Sequence, residues 1–109
     1  MVISFSEPKP RTQLRESGAV VTYRPSERER TPRNGAQETW ANAGRGEAKL
    51  FDVEVRYLEP AGPMLGALFG YSRLSGFRSS AEWENAIVRL HGEVPDSGHL
   101  YLVTRRDEP

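Results

Sequence analysis

The chain has 109 residues, 37% of them hydrophobic and 28% charged, which gives room for one domain (1–109) with one core. Fifteen basic side chains balance fifteen acidic ones, so no global field draws the protein toward nucleic acid or a membrane surface. The absence of cysteine excludes disulfides, thiolate metal sites and a cysteine nucleophile, and it fits a cytoplasmic chain.

Residues 1–11 lack the apolar centre of a signal peptide. Residues 2–5 read as a first short strand, closed by Glu7-Pro8. Residues 11–17 form a short helix with Leu14 as its apolar anchor, ended by Gly18. Residues 19–24 follow as a strand, because Val20, Val21, Thr22 and Tyr23 favour a pleated surface. Its apolar residues do not alternate cleanly, which suits burial on both faces.

Residues 25–46 read as a long charged loop with two prolines and an Asn-Gly turn signal. Trp40 interrupts it, in a turn of helix or an irregular strand, and tryptophan's large area favours the core. The best strand spans 48–58, with Phe51, Val53, Val55 and Tyr57 on one face, and the Pro60–Pro63 segment breaks it. The uncharged run 60–72 falls short of the roughly 20 apolar residues of a membrane span. A short helix over 64–69 precedes the clearest structural signal in the chain.

That signal is SGFRSSAEWENAIVRLHG, residues 75–92. Ser79 and Glu82 have capping-box spacing, in which each side chain satisfies a backbone N–H at a helix start. Trp83, Ala86, Ile87 and Leu90 share one helical face directed at the core, and Gly92 ends the helix. A turn at 95–98, a strand over 100–104 and a frayed tail at 105–109 complete the order. The sum is an α+β fold, one antiparallel-rich sheet curled around a helix.

Chemistry-bearing motifs are few. Leu74 replaces the second glycine that a nucleophile elbow needs after Ser72. His91 and His99 lack a nucleophile or metal partner at suggestive spacing, and the acidic residues do not cluster as a metal site. No cofactor is implied. What remains is a basic and aromatic set around the long loop: Arg24, Arg28, Arg30, Arg33, Arg45 and Lys49, with Tyr23 and Trp40 as stacking surfaces. Thirteen of the fifteen basic residues are arginine, whose planar fork suits phosphate. The set fits single-stranded RNA, with arginines on phosphates and an aromatic ring under an unpaired base. The opposing reading is a solvated loop whose Glu27 and Glu29 pair internally with its arginines. Arg24 stands apart because it ends a strand, where a rigid element holds it.

Leu14-Arg15-Glu16-Ser17-Gly18-Ala19-Val20-Val21-Thr22-Tyr23-Arg24 resembles the opening signature of ASCH domains in the PUA-like superfamily. There a helix ends at glycine and the next strand closes with arginine. Ser75-Gly76-Phe77 with Ser80, Glu82 and Trp83 is similar to that family's Gly-Phe entry into a short capped helix. With the final strand, the likeness spans most of residues 10–104. It implies a small β-barrel of mixed, mostly antiparallel strands, flanked by two to three short helices. An RNA- or nucleotide-binding cleft is then expected beside strand 19–24, with Thr22 supplying a hydrogen bond to base or sugar. Some relatives hydrolyse modified cytidine with a lysine, a threonine and a glutamate. Thr22 matches the threonine, but Ala19 stands at the lysine position, so binding without catalysis is expected. A hydrolase using Thr22, Lys49 and Glu82, or a protein-interaction module using loop 25–46, are the alternatives.

Overall fold

A computed structural model describes residues 2–44, 46–61, 67–92 and 98–106. Strands β1 (Ile3–Ser4), β2 (Ala19–Arg24), β3 (Ala36–Asn42), β4 (Lys49–Ala61) and β5 (Gly98–Arg105) form one sheet in the order β1-β3-β4-β5-β2. Only the β1–β3 pair is parallel. Helices α1 (Pro8–Ser17), α2 (Ala67–Tyr71) and α3 (Ser80–His91) complete the α+β fold, with a 3₁₀ turn at Ser72–Leu74. The sheet curls into a half-barrel. Its two edge strands, β1 and β2, come within reach of one side chain: the Arg24 guanidinium donates to the Ser4 carbonyl at 2.8 Å.

Burial on both faces explains why β2 reads as a near-continuous apolar run. One face contributes Val20 to a cluster with Ile3, Phe5, Leu14, Val53, Val55, Tyr101 and Val103, which fills the hollow of the half-barrel. The other contributes Val21 and Tyr23 to a second cluster with Leu100, Leu68, Phe77, Trp83, Ala86 and Ile87, roofed by α3. Side chains such as Ile3, Leu14 and Leu100 are fully buried, each worth about 1.5–3 kcal/mol relative to exposure.

The helices follow their local signals, with differences of physical interest. Helix α1 begins three residues before the expected 11–17, at Pro8. Proline's fixed φ suits the first helical position, so Glu7-Pro8 opens a helix as well as closing β1. Gly18 ends α1 in the left-handed region at φ 80°, its N–H bonded to the Leu14 carbonyl at 3.0 Å. In α3 the Ser79 hydroxyl accepts from Glu82 N–H at 3.1 Å, while the Glu82 carboxylate reaches one residue further back, to Arg78 N–H at 2.9 Å. Leu90 is 52% exposed rather than in the core. It lies on the last turn of α3 and borders an open cleft beside β2.

The expected loop 25–46 is shorter than its composition suggests, because 36–42 is strand β3. Thr39 and Ala41 face the hollow and Trp40 the opposite side, so the strand offers almost no apolar alternation. Trp40 is half-buried and belongs to neither apolar cluster, which corrects its placement in the core. Strand β4 runs through Pro60 to Ala61. Beyond Arg56 it pairs with β5 alone, so the proline sits where one flank is open. The expected helix at 64–69 appears as α2, starting at Ala67, and 62–66 lie outside the described residues, as do 93–97 with most of the 95–98 turn, and 107–109. Strand β5 includes Arg105, the first residue of the expected tail. No helix among the described residues is long and apolar enough to cross a membrane.

The 75–77 entry to α3 ties the helical layer together. The buried Ser75 hydroxyl donates to the Ser72 carbonyl at 2.7 Å and accepts from Phe77 N–H at 3.0 Å. Gly76, at φ 89°, presses so closely on α1 that a Cβ there would lie 2.4 Å from the Lys9 carbonyl oxygen. Gly76→Ala therefore meets both backbone strain and a backbone clash, and a loss of about 2–3 kcal/mol is expected in a urea melt. A variant within about 0.5 kcal/mol of the parent would show that α1 and the turn separate easily.

Candidate functional site

The free edge of β2 borders a cleft of about 230 Å³ between the β1–α1 turn and α3. Thr22, Tyr23 and Arg24 form its floor, Phe5 one wall, and Trp83, Ile87 and the exposed Leu90 the other. Glu7 stands on the lip, its carboxylate joined to Arg89 on α3.

Arg24 dominates the cleft's electrostatics. Thr22 and Arg24 alternate with Val20, so both project toward the hollow side of β2, and Thr22 lies opposite Tyr101 in the β5 ladder. The Arg24 guanidinium is enclosed by protein and lies 5.4 Å from the Phe5 ring centre. Beyond its bond to the Ser4 carbonyl, its buried Nε has no hydrogen-bond partner. No carboxylate neutralises it among the described residues. Burial, with repulsion from Arg28 and a small opposing effect of Tyr101, lowers its pKa to about 10. An enclosed cation without a counter-charge is costly.

The remaining basic residues behave differently. Arg28 folds back over the mouth of the half-barrel. Its backbone N–H donates to the Tyr101 hydroxyl at 2.7 Å, and its guanidinium to Thr31 Oγ1 at 3.2 Å and Gln37 Oε1 at 3.0 Å. All these partners are neutral. Burial foremost lowers its pKa. Arg33 forms a two-pronged pair with Glu27, at 2.8 and 2.9 Å, and lies over the Tyr57 ring at 4.7 Å. This is the internal pairing expected of a solvated loop, and it holds Glu27 below the usual carboxylate range. Arg30 is exposed. Lys49 is exposed and bound to Asp52 at 3.2 Å, away from the cleft. Arg45 lies outside the described residues. Tyr23 borders the cleft and Trp40 does not.

The structure thus brings together Thr22, Tyr23 and Arg24 at the cleft, which Arg28, Arg30, Arg33 and Lys49 do not line. Thr22, Lys49 and Glu82 are not gathered either, because Glu82 holds Lys9 at 3.0 Å at the start of α3. Sequence reasoning missed the apolar walls. Phe5, Trp83 and Ile87 carry core signals, and only Leu90, at the end of the helical stripe, hinted at an open position. It also missed a polar cluster in the barrel mouth, where the Tyr57 hydroxyl meets His99 Nδ1 at 3.0 Å and the Tyr57 and Tyr101 rings pack edge-on. No group of three or more metal-ligating side chains occurs among the described residues.

Two outcomes follow. Arg24→Met keeps the packed stem and removes the unneutralised charge, so stability should be unchanged or about 1 kcal/mol higher by thermal melting. A clear loss would mean that the bond to Ser4 outweighs the buried charge. All four tyrosines have raised pKa values, from burial first for Tyr23, Tyr57 and Tyr101, and from the Glu59 hydrogen bond first for Tyr71. The folded chain therefore keeps protons that the unfolded chain releases. Their contribution is complete below pH about 10 and declines as pH rises through the folded values. Arg24 and Arg28, whose pKa values burial lowers, act oppositely at higher pH, two groups against four. The urea midpoint should fall between about pH 8 and about pH 11, with tyrosinate absorbance appearing late; equal midpoints would contradict this.

No family model, curated protein or solved structure matches the chain.

Proposed function

We propose that this chain is a cytoplasmic binding module of the ASCH/PUA-like kind, holding RNA or a nucleotide in the cleft beside β2. The observation that carries this reading is the enclosed Arg24 guanidinium, unneutralised in a cleft with aromatic and aliphatic walls. A nucleotide combines a flat base, which suits the walls formed by Phe5, Trp83 and Ile87, with a phosphate, which suits a guanidinium. Thr22 offers a hydroxyl to sugar or base from a rigid strand. Because Ala19 stands where the resembled hydrolases carry lysine, the module binds its ligand without turning it over.

The pairing of Arg33 with Glu27 and of Lys49 with Asp52 supports a short footprint, one or two nucleotides rather than a long groove. Salt dependence should be correspondingly shallow, a slope of about −0.7 to −1.5 in log K against log salt for a single strand. The test is a fluorescence-anisotropy titration of a single-stranded RNA oligomer at two salt concentrations, with Arg24→Gln alongside. Binding lost in the variant and weakened modestly by salt is expected. No binding at low salt, or equal binding by the variant, would overturn the reading.

A further inference from the structure

Among the described residues, two contacts orient the Arg24 guanidinium. The Ser4 carbonyl accepts from it at 2.8 Å, and the Phe5 ring centre lies 5.4 Å away. Both come from the end of β1, the least self-sufficient element of the sheet. Strand β1 has two residues and pairs with β3 at two positions, Ile3 with Ala41 and Ser4 with Asn42. A ladder that short holds its strand weakly. Asn42 supplies what the ladder lacks. Its carbonyl accepts from Phe5 N–H at 2.9 Å, and its Oδ1 accepts from the Ser4 hydroxyl at 2.7 Å. The same Oδ1 accepts from Gly44 N–H at 3.2 Å, while Nδ2 donates to the Glu47 carbonyl at 3.1 Å. Asn42 is 2% exposed and stands where the β3–β4 register shifts, an irregularity of the kind that re-aims side chains. It does not line the cleft. One buried residue outside the cleft is thus bonded to both residues that hold Arg24.

We propose that Asn42 is a positioning residue for ligand binding: through Ser4 and Phe5 it sets where the Arg24 guanidinium points in the cleft. This rests on the nucleotide-binding reading above. Arginine is a long, flexible side chain, and no carboxylate fixes the fork of Arg24 among the described residues. A guanidinium makes its strong two-pronged bonds to phosphate only when its plane faces the oxygens. Any tilt of β1 therefore reaches the ligand as lost affinity. Arg11 braces the same junction from α1, donating to the Phe5 and Ala43 carbonyls at 3.2 and 3.4 Å. The Ser4 hydroxyl is the link that can be removed without deleting the carbonyl that Arg24 uses.

The experiment pairs side-chain NMR with fluorescence anisotropy, using the full chain and a single-stranded RNA oligomer. The Arg24 Nε–H is enclosed, so it should give a resonance protected from exchange, assigned by its loss in Arg24→Gln. Ser4→Ala removes the hydroxyl bond, and Asn42→Ala removes every side-chain bond of the hub. In both, the Arg24 signal should shift and lose protection, and RNA should bind about five- to tenfold more weakly. The Arg33 Nε–H, bonded to Glu27 at 2.8 Å and outside the cleft, should keep its parental shift, which shows that the fold is intact. If Asn42→Ala fails to fold, Ser4→Ala decides. An unmoved Arg24 signal, or a moved one with unchanged affinity, overturns the positioning role and leaves the nucleotide cleft standing. If the parent chain binds no RNA, both readings fail together.

Discussion

The antiparallel pairing of β2 with β5 is the contact on which the rest depends. Six residue pairs, from Ala19 with Thr104 to Arg24 with His99, hold a strand that has no sheet neighbour on its other side. Apolar burial compensates for that open edge. Val20 and Val21 point in opposite directions into two separate clusters, so displacing β2 would empty part of both. The same edge position exposes Arg24 to the cleft. A central strand would have had no free flank on which to build one.

The legible parts of the fold were those whose local signals agree with their surroundings. Helix α3 has a cap, a stripe and a terminator, and β4 alternates, so pattern and packing give the same answer. Strand β3 was legible only as one of two readings, a turn of helix or an irregular strand, for the opposite reason. Its residues Gln37, Glu38, Thr39 and Asn42 are polar, and it exists because β4 and β1 supply backbone partners on both sides. Tertiary context overrides propensity there. Among candidate site residues, Arg24 stood apart in the sequence because it ends a strand, and it lines the cleft beside β2. Arg33 and Lys49 were not separable from it by type. Only geometry reveals that each already has a carboxylate partner. The cleft walls were hidden because an aromatic residue bordering a cavity carries the same sequence signature as one in a core.

The motifs of the resemblance acquire physical roles independent of any family. Gly18 supplies the left-handed residue that lets α1 turn directly into β2. The Ser-Gly-Phe entry joins α1, the 3₁₀ turn and α3 through one buried hydroxyl, one close backbone approach and one buried ring. A half-barrel whose edges are separated needs such a brace. With Glu7–Arg89 and Lys9–Glu82, it fixes how far α3 stands from the β1–α1 turn, and therefore how wide the cleft is.

One contact has a bearing on how that cleft recognises its occupant. The Tyr23 ring lies directly on the backbone of Gly98, so closely that a Cβ there would fall 2.2 Å from the ring. The ring is therefore immobilised before any ligand arrives, and its rotamer entropy is already spent in folding. That side of the cleft acts as a rigid template, selecting by shape. The half-exposed Leu90 opposite is free to adjust. Discrimination between similar occupants should thus reside on the β2 side, and tolerance on the α3 side.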